Sequence, residues 1–573
     1  MQRRLWLLVG AAAAVMVLAI SATATTKVAG STRASSLAAA PFAQAWANVP
    51  RTAAGRKAKD VLVFGSEQDP AGFNTLQATE NSFWAQVQGP TVAVRGIYIV
   101  DNKGQYVLDL ASSVTATKTA LTINLRPDAN WNWGGKKVPV TNADLVYTWK
   151  QIVDPKNQAA STTGYDQIAS VKLKGTKTAI FTWKAGKPFA DYRDMFGIVL
   201  PSKAVAGQDF NTFWSNCICG TDGKPISDGP FILTNFTKGQ GVTLKANPFF
   251  YGKKPGLKEI DFKLLTDTNS EIQAMRGGEV DAIFPSPQTA LAELVHQSGL
   301  TYNATPGFVL EHLDLQMGPQ GHPLLKQLWM RQAIALAINR ASLIKAIFSS
   351  YAPGQKPLNN LLYLIGPDSV PHFNRWATAP AKALAMLKAH CTGGPSKPTR
   401  GNTAIWTCNG QQASFRWFTT VGNQRRATSE AIFEQQLGAI GIKLNPTFMP
   451  GPPVLFGKVL PSHDYDLAEY AGVFGSPDPS NQDATFTPGD SNYVQYNNAK
   501  YTALINSAEK DLNPASRKAK FQQADTMLAN DIPNFPLYAS PVILVHKSAV
   551  KGMENSDNPT SVGPTWNAEF WHW

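Results

Sequence analysis

The sequence predicts an α/β protein with mixed sheets and more than one domain, and three observations indicate this. Strand-like and helix-like patterns alternate along most of the 573 residues, which is typical of α/β lobes. About 510 residues follow an N-terminal leader, enough for two or three domains of ordinary size. Beyond the N-terminus, no run of the sequence is long and apolar enough to span a membrane.

The N-terminal segment predicts export. Arg3-Arg4 precede an apolar run from Leu5 to Ile20, and Ala22-Thr23-Ala24 offers small residues to a signal peptidase. We interpret residues 1–24 as a signal peptide, with an uncleaved anchor as the alternative because the run is short for a membrane span. Residues 25–58 lack periodicity and predict a flexible leader. No cysteine lies near the cleavage site, which argues against a lipoprotein.

Apolar periodicity and turn residues predict the order of elements in the rest of the chain. They are a strand at 60–65, a strand at 120–126, a helix capped by Thr141 with Asp144 three residues on, a hairpin at 231–244, a helix capped by Ser270 and ended by Gly277-Gly278, a short strand with Val280, Ala282 and Phe284, two helices between Leu324 and Phe348 that break at Asn339-Arg340, a helix at 428–437, a strand at 442–444, helices at 499–512 and 515–529, and a strand at 541–546.

The four cysteines predict at least one disulfide in an exported chain. Cys391 and Cys408 flank a loop rich in Gly, Pro, Ser and Thr, and a bond between them is favoured. Cys217 and Cys219 are too close for an ordinary unstrained bridge, so pairing and burial as thiols both stay open. No histidine stands at ligand spacing from either pair, and we predict no metal site.

The charge pattern does not predict a nucleic-acid partner. The net charge is +13, but the Lys and Arg residues are scattered and no stripe alternates them with aromatic residues. An exported chain is also in the wrong compartment for that partner. A solvated basic surface is the favoured interpretation.

The lack of known catalytic motifs in the sequence predicts a protein that is not an enzyme and needs no cofactor. The zinc-protease, nucleophile-elbow and phosphate-loop motifs are all missing from the sequence. His312 and Asp314 share one face of a predicted strand, where a structural role is favoured over acid–base work. Asp464, Asp466, Glu469 and Asp478 crowd one region, as the carboxylates of a glycosidase could, so a secreted envelope hydrolase is kept as the enzymatic alternative.

Several segments, in order, resemble one family. They are VLVFGSEQDPAGFNTLQ, LTINLRPDANWNWGGKKVPVTNADLVYTW, GPFILTNF, VTLKANPFFYGKKPGLKEIDFKLLTDTNSEIQAMRGGEVDAIFPSP, LDLQMGP, LWMRQAIALAINRASLIKAIF and QQADTMLANDIPNFPLYAS. Together they resemble the extracytoplasmic solute-binding proteins of ABC importers, family 5, the oligopeptide, dipeptide and nickel-binding type. One departure is Asn132-Trp133-Gly134, where the family tends to have His-Asp-Gly after a tryptophan.

The resemblance implies a two-lobed fold like that of periplasmic binding proteins (type II), with a hinge and an extra subdomain in the first lobe. We expect lobe I at 59–93, 229–314 and 541–573, the inserted subdomain at 94–228, and lobe II at 315–540. It also implies a monomeric receptor that encloses an oligopeptide or peptide-like solute between closing lobes and delivers it to an ABC permease. A receptor for an oligosaccharide or another neutral solute is the alternative.

The resemblance also implies which residues face the ligand. In lobe II, Tyr470 falls where peptide binders place an aromatic residue, and their amine-binding aspartate aligns with Val473 or Gly475, with Asp478 as a substitute. The carboxylate-binding arginine of some members aligns near Thr420, close to Arg425 and Arg426, which could equally be a solvated pair before a helix at Thr428. The expected contacts are completed by aromatic and polar residues of both lobes: Phe73, Asn74, Trp84, Trp417 and Phe474.

Overall fold

The computed structural model describes residues 60–474, 476–480 and 485–573. The predicted signal peptide and leader lie outside the described residues, as does Gly475. None of the described helices combines the length and the apolar character needed to cross a membrane.

The strands are, in chain order, β1 (Val61–Ser66), β2 (Tyr98–Val100), β3 (Tyr106–Leu108), β4 (Ala111–Ala116), β5 (Ala120–Leu125), β6 (Asn130–Trp133), β7 (Lys136–Pro139), β8 (Ile168–Lys174), β9 (Thr178–Trp183), β10 (Ile226–Ser227), β11 (Phe231–Thr237), β12 (Gly241–Ala246), β13 (Glu259–Leu264), β14 (Ala282–Ile283), β15 (Leu300–Leu315), β16 (Thr407–Cys408), β17 (Gln411–Gln412), β18 (Ser414–Thr420), β19 (Lys443–Met449), β20 (Leu467–Val473) and β21 (Asn534–Lys547).

The α-helices are α1 (Phe83–Gln88), α2 (Pro90–Ala93), α3 (Asn142–Val153), α4 (Ser202–Val205), α5 (Thr268–Arg276), α6 (Leu291–Leu294), α7 (Leu328–Ala337), α8 (Arg340–Phe348), α9 (Pro380–His390), α10 (Gln424–Gly438), α11 (Leu460–Ser462), α12 (Ala499–Ala508) and α13 (Pro514–Asp531). A π-helix covers Gly451–Val459.

One mixed sheet joins both halves of the molecule, in the strand order β11-β12-β13-β1-β14-β21-β15-β20-β18-β19. β1 pairs in parallel with β13 and β14, and β18 pairs in parallel with β19 and β20. The long strands β15 and β21 pair with each other between these two groups. They therefore connect an N-terminal half around β1 to a second half around β18.

The pairing of the two long strands is interrupted near its middle. The register of β15 with β21 shifts between Pro306 and Leu310. A Cβ at Gly307 would stand 2.7 Å from the carbonyl oxygen of Ser540, so this close approach of two backbones needs glycine. The interruption removes ladder hydrogen bonds where the two halves of the sheet meet.

Three smaller sheets are built from strands between Tyr98 and Ser227. Their orders are β4-β5-β9-β8, β10-β6-β7 and β2-β3. These strands lie within 94–228, the segment predicted to be inserted in lobe I. The boundaries of the lobes and of this subdomain stay predictions.

Local capping chemistry explains where several helices begin. The capping box at α3 is confirmed, because the side chain of Asp144 accepts a hydrogen bond from the Thr141 N–H at 2.8 Å. Asn339 caps α8 and so produces the predicted break. The prediction that Ser270 caps α5 was wrong: Asp267 is the cap and accepts from the Ser270 N–H at 3.0 Å.

Both cysteine pairs form disulfides. The bond between Cys391 and Cys408 confirms the favoured pairing. Of the two outcomes left open for Cys217 and Cys219, the structure shows the disulfide.

Candidate functional site

The carboxyl end of β18 and the start of α10 bring two arginines to the edge of the sheet. Ligands of open α/β sheets bind outside the carboxyl ends of parallel strands. The Asn423 side chain accepts hydrogen bonds from the backbone N–H groups of Arg425 and Arg426, so α10 starts at Gln424. The alternative of a solvated pair before a helix at Thr428 was therefore wrong.

Arg426 turns into the protein and binds a carboxylate of β15. Its Nε donates to Glu311 Oε1 at 2.6 Å, and its Nη1 donates to the hydroxyl of Thr420 at 2.6 Å. Both charged side chains of the pair are at most 5% exposed. Although burial favours the neutral acid, the guanidinium of Arg426 holds the pKa of Glu311 below its ordinary value.

A second carboxylate, that of Glu469 in β20, lies on the same face of the sheet. Glu469 stands opposite Leu313, two residues from Glu311 along β15, and alternate residues share a face. It is fully buried, and neither carboxylate oxygen has a hydrogen-bond partner among the described residues. Burial, and then the charge of Glu311, raises the pKa of Glu469 well above its ordinary value.

Arg425 reaches across to the other half of the molecule. Its Nη1 donates to the carbonyl of Pro287 at 2.6 Å. Its Nε is buried without a partner among the described residues, as are the hydroxyls of Tyr351 and Tyr538. The charge of Arg425 acts on both tyrosines. The contact between Arg425 and Pro287 therefore lies at the seam between the two halves.

The other predicted residues of lobe II are largely engaged within the protein. The Tyr470 hydroxyl donates to Asp314 at 2.7 Å, and its ring meets that of His312 edge-on. Trp417 is fully buried, with its Nε1 unpartnered among the described residues. Val473 and Phe474 are half-buried at the end of β20. A ligand contact by any of them stays a prediction.

Asp478 lies at a different place along the same seam. It accepts from both terminal nitrogens of Arg517, one at 2.7 Å. From the other side of the seam Asp191 and Asp194 face it, and the Tyr106 hydroxyl donates to Asp194. Burial, and then the charge of Asp194, raises the pKa of Asp191 well above its ordinary value. The structure thus gives Asp478 a cationic partner of its own.

The predicted contacts of lobe I are packed into the half around β1. Phe73 is fully buried against Phe236. The Asn74 side chain donates to the carbonyl of Phe210 at 2.7 Å. Trp84 is 4% exposed in α1. The structure does not bring these three side chains into contact with the charged groups of β15, β20 and α10, and their role as ligand contacts remains a prediction.

Sequence reasoning missed four members of the buried group at the seam: Glu311, Arg426 as an ion-pair partner, Tyr351 and Tyr538. One signal could have found Glu311, since an acidic residue directly after the apolar run Phe308-Val309-Leu310 of a strand needs a buried partner. Glu469 was considered only for catalysis.

The molecule has two α/β halves, which are joined by long strands and face each other through charged side chains. This arrangement defines a two-lobed binding protein, and solved structures of such proteins share the fold. The chain belongs to the bacterial extracellular solute-binding proteins, family 5: the model of that family's middle region matches residues 105–493.

Relatives match over most of the chain. The oligopeptide-binding protein OppA of Mycobacterium tuberculosis is 24% identical over 496 residues, 84% of this chain and 80% of that protein. A protein of Brucella abortus, named as an ABC transporter peptide-binding protein, is 25% identical over 506 residues, 85% of this chain and 88% of its own. Oligopeptide-binding AppA of Bacillus subtilis, solved with a nonapeptide, has a TM-score of 0.64 at 20% identity and covers 89% of this chain and 98% of its own.

Proposed function

We propose that this protein is the extracellular receptor of an ABC importer, which captures an oligopeptide or peptide-like solute between its lobes and delivers it to the membrane permease. The observation that carries the proposal is the match to named peptide-binding relatives over 84% and 85% of the chain. The receptor acts as a monomer and performs no chemistry on its solute.

The structure supports a closing mechanism. Arg425 contacts Pro287 across the seam, and the Ala190 N–H donates to the carbonyl of Glu509 at 3.2 Å. These contacts hold the lobes together, while the interrupted pairing near Gly307 offers a flexible point between them. A solute shifts such an equilibrium toward the closed form by its preference for that form.

The proposed domain boundaries follow the strands that connect the halves. We place lobe I at 59–93, 229–314 and 541–573, the inserted subdomain at 94–228, and lobe II at 315–540. On these boundaries the chain returns from lobe II to lobe I within β21, before Pro541. This point lies beside the register shift, since Pro541 pairs with Pro306. Residues 1–24 are proposed to direct export and to be removed or kept as a tether.

A neutral solute is the second candidate. The position of the family's amine-binding aspartate falls at Val473 or at Gly475, and neither residue is acidic. An oligosaccharide needs no such aspartate. The same receptor role would then serve a different ligand class.

Native mass spectrometry of the purified mature protein tests the receptor proposal, because a closed receptor retains its solute. A thermal-shift panel of peptides, oligosaccharides and metal ions follows, since a ligand that binds only the folded form raises the melting temperature. Stabilisation by peptides supports the first candidate, and stabilisation by sugars alone supports the second. Turnover of any panel compound would contradict both.

A further inference from the structure

The disulfide between Cys217 and Cys219 contributes little to the stability of the fold. A disulfide stabilises a protein largely by restricting the unfolded chain, and this effect grows with the length of the loop that the bond closes. Cys217 and Cys219 are 2 positions apart in the sequence, whereas Cys391 and Cys408 are 17 positions apart. Only the second bond closes a loop that is long enough to restrict the unfolded chain strongly. Stability therefore does not explain the first bond.

The spacing and the position of the first bond favour its reduction. Cysteines that are two positions apart share a small covalent ring, and strained disulfides accept electrons more readily than ordinary structural ones. Thiol–disulfide exchange also needs access to one of the two sulfurs. Cys217 is half-buried, so a reductant can reach its Sγ from solvent, whereas Cys219 is only 8% exposed. The bond thus combines a reactive ring with one accessible sulfur.

The protein around the bond holds both cysteines in place whether or not they are joined. Ile218, the residue between them, is fully buried, and its carbonyl accepts a hydrogen bond from the Ile226 N–H at 2.8 Å. On the other side of Cys219, the Gly220 N–H donates to the carbonyl of Lys224 at 3.0 Å. These contacts do not involve sulfur and therefore survive reduction. Two thiols that stay this close re-form their bond in an intramolecular reaction, so the change is reversible.

The loop before the bond holds the segment of Phe73 and Asn74, two predicted solute contacts. The Trp214 carbonyl accepts from the Phe73 N–H at 3.0 Å, and the Phe210 carbonyl accepts from the Asn74 side chain at 2.7 Å. The Trp214 ring in turn donates through its Nε1 to the carbonyl of Cys219 at 3.0 Å. Trp214 therefore connects the disulfide to this segment.

We propose that Cys217 and Cys219 form a reversible redox site that accepts two electrons from an extracytoplasmic dithiol reductant. One thiolate of the reductant attacks Sγ of Cys217, the S–S bond breaks, and Cys219 leaves as a thiolate that takes up a proton. The second thiolate of the reductant then attacks its own sulfur in the mixed disulfide and displaces Cys217, which takes up the second proton. The reductant leaves as a disulfide, and the protein keeps two thiols.

The state of the site sets how firmly the loop holds Phe73 and Asn74. In the oxidised protein the ring fixes the backbone at Cys219, whose carbonyl anchors Trp214. Reduction opens the ring and gives this backbone more freedom, so the hydrogen bond from the Phe73 N–H to Trp214 opens more often. The site acts without the solute, and the inference therefore goes beyond the proposed receptor function.

The test measures both disulfides in the same wild-type protein, so that Cys391–Cys408 is the internal control. The folded protein is equilibrated with graded mixtures of 2-mercaptoethanol and its disulfide, free thiols are alkylated, and each cysteine is read by peptide mass spectrometry. The equilibrium constant for reduction should be at least tenfold larger for Cys217–Cys219, which corresponds to about 30 mV in reduction potential. Removal of the reductant should restore the same bond.

Equal constants or the reverse order would overturn the inference, as would free thiols at Cys217 and Cys219 in protein kept under oxidising conditions. A large loss of melting temperature in Cys217→Ser with Cys219→Ser would overturn it as well, because the bond would then be a structural staple.

Hydrogen exchange tests the connection to the solute segment. The Phe73 amide should exchange faster after mild reduction of wild type and equally fast in Cys217→Ser with Cys219→Ser, whose exchange should not respond to the reductant. Cys391→Ser with Cys408→Ser should respond as wild type does. An unchanged rate at Phe73 in reduced wild type would overturn the connection through Trp214.

Discussion

Arg426 and Glu311 form an ion pair that solvent hardly reaches. Removing one partner of such a pair leaves the other charge buried and uncompensated. We expect Arg426→Met to lower the free energy of unfolding by about 3–5 kcal/mol, measured by denaturant titration. The matched control is Arg276→Met, whose partner Glu293 is 82% exposed, and whose loss should cost less than about 1 kcal/mol. Equal losses of unfolding free energy in the two variants would contradict the argument that burial makes this ion pair more important than an exposed one.

At the residue scale, sequence reasoning found the types of side chain but not their partners. The family resemblance directed attention to Arg425, and the structure places that arginine at the seam. Glu311 and Arg426 are 115 positions apart, and periodicity within a strand or helix carries no information about a contact of that range. Asp478 illustrates the same limit, because its partner Arg517 lies in a distant helix.

At the level of elements, the start of α10 controls the placement of both arginines. Asn423→Ala should cost about 1 kcal/mol through loss of the N-cap and should also weaken solute binding, because Arg425 and Arg426 occupy the first turn. Asn513→Ala removes the equivalent cap of α13 and should cost a similar amount of stability without changing affinity. Denaturant titration and calorimetry measure the two quantities. Equal affinity losses would contradict the argument.

The disulfide between Cys391 and Cys408 joins residues that are 17 positions apart in the sequence. A double change of both cysteines to serine should lower the free energy of unfolding by about 3 kcal/mol, the amount that chain entropy predicts for a loop of this size. The reduced wild-type protein should approach the same value in thermal and denaturant unfolding. An unchanged stability would show that the loop is ordered equally well without the bond.

Local sequence patterns were enough to predict that these helices and strands exist. Their first and last residues depended on single capping residues and on pairing with strands that are distant in the sequence. The helix at α10 was predicted over 428–437 but begins at Gln424, and the missing signal was its cap, Asn423. The last strand was predicted over 541–546 but begins at Asn534. Its first residues pair with the far end of β15, a long-range contact that local sequence cannot indicate.

For the whole molecule, the contact of Asp191 and Asp194 with Asp478 at the seam predicts that closure of the lobes depends on pH. Burial raises the pKa of Asp191 and of Asp194 above the ordinary value in the closed form, and opening exposes them to solvent. The closed form therefore binds protons more tightly than the open form. Closure is favoured as the pH falls through the raised pKa values toward the ordinary 3.8 and is weakened as the pH rises above them.

Tyr106, Tyr363, Asp478 and Arg517 also act electrostatically on this contact. The closed fraction, followed by energy transfer between dyes on the two lobes of the unliganded protein, should rise as the pH falls from above the raised pKa values of the two aspartates toward the ordinary 3.8. Asp191→Asn with Asp194→Asn should flatten the profile, whereas the exposed Asp166→Asn should leave it unchanged. A wild-type profile without slope would contradict the prediction.

The strand β21 lies far along the chain from the strands it pairs with, and this separation affects how the protein folds. β14 and β15 both pair with this strand, and paired residues such as Asp314 and Asn534 are 220 positions apart. The central sheet therefore cannot be completed until β21 has been synthesised, and its contacts of long sequence separation slow folding. The two halves of the central sheet therefore acquire their final form together.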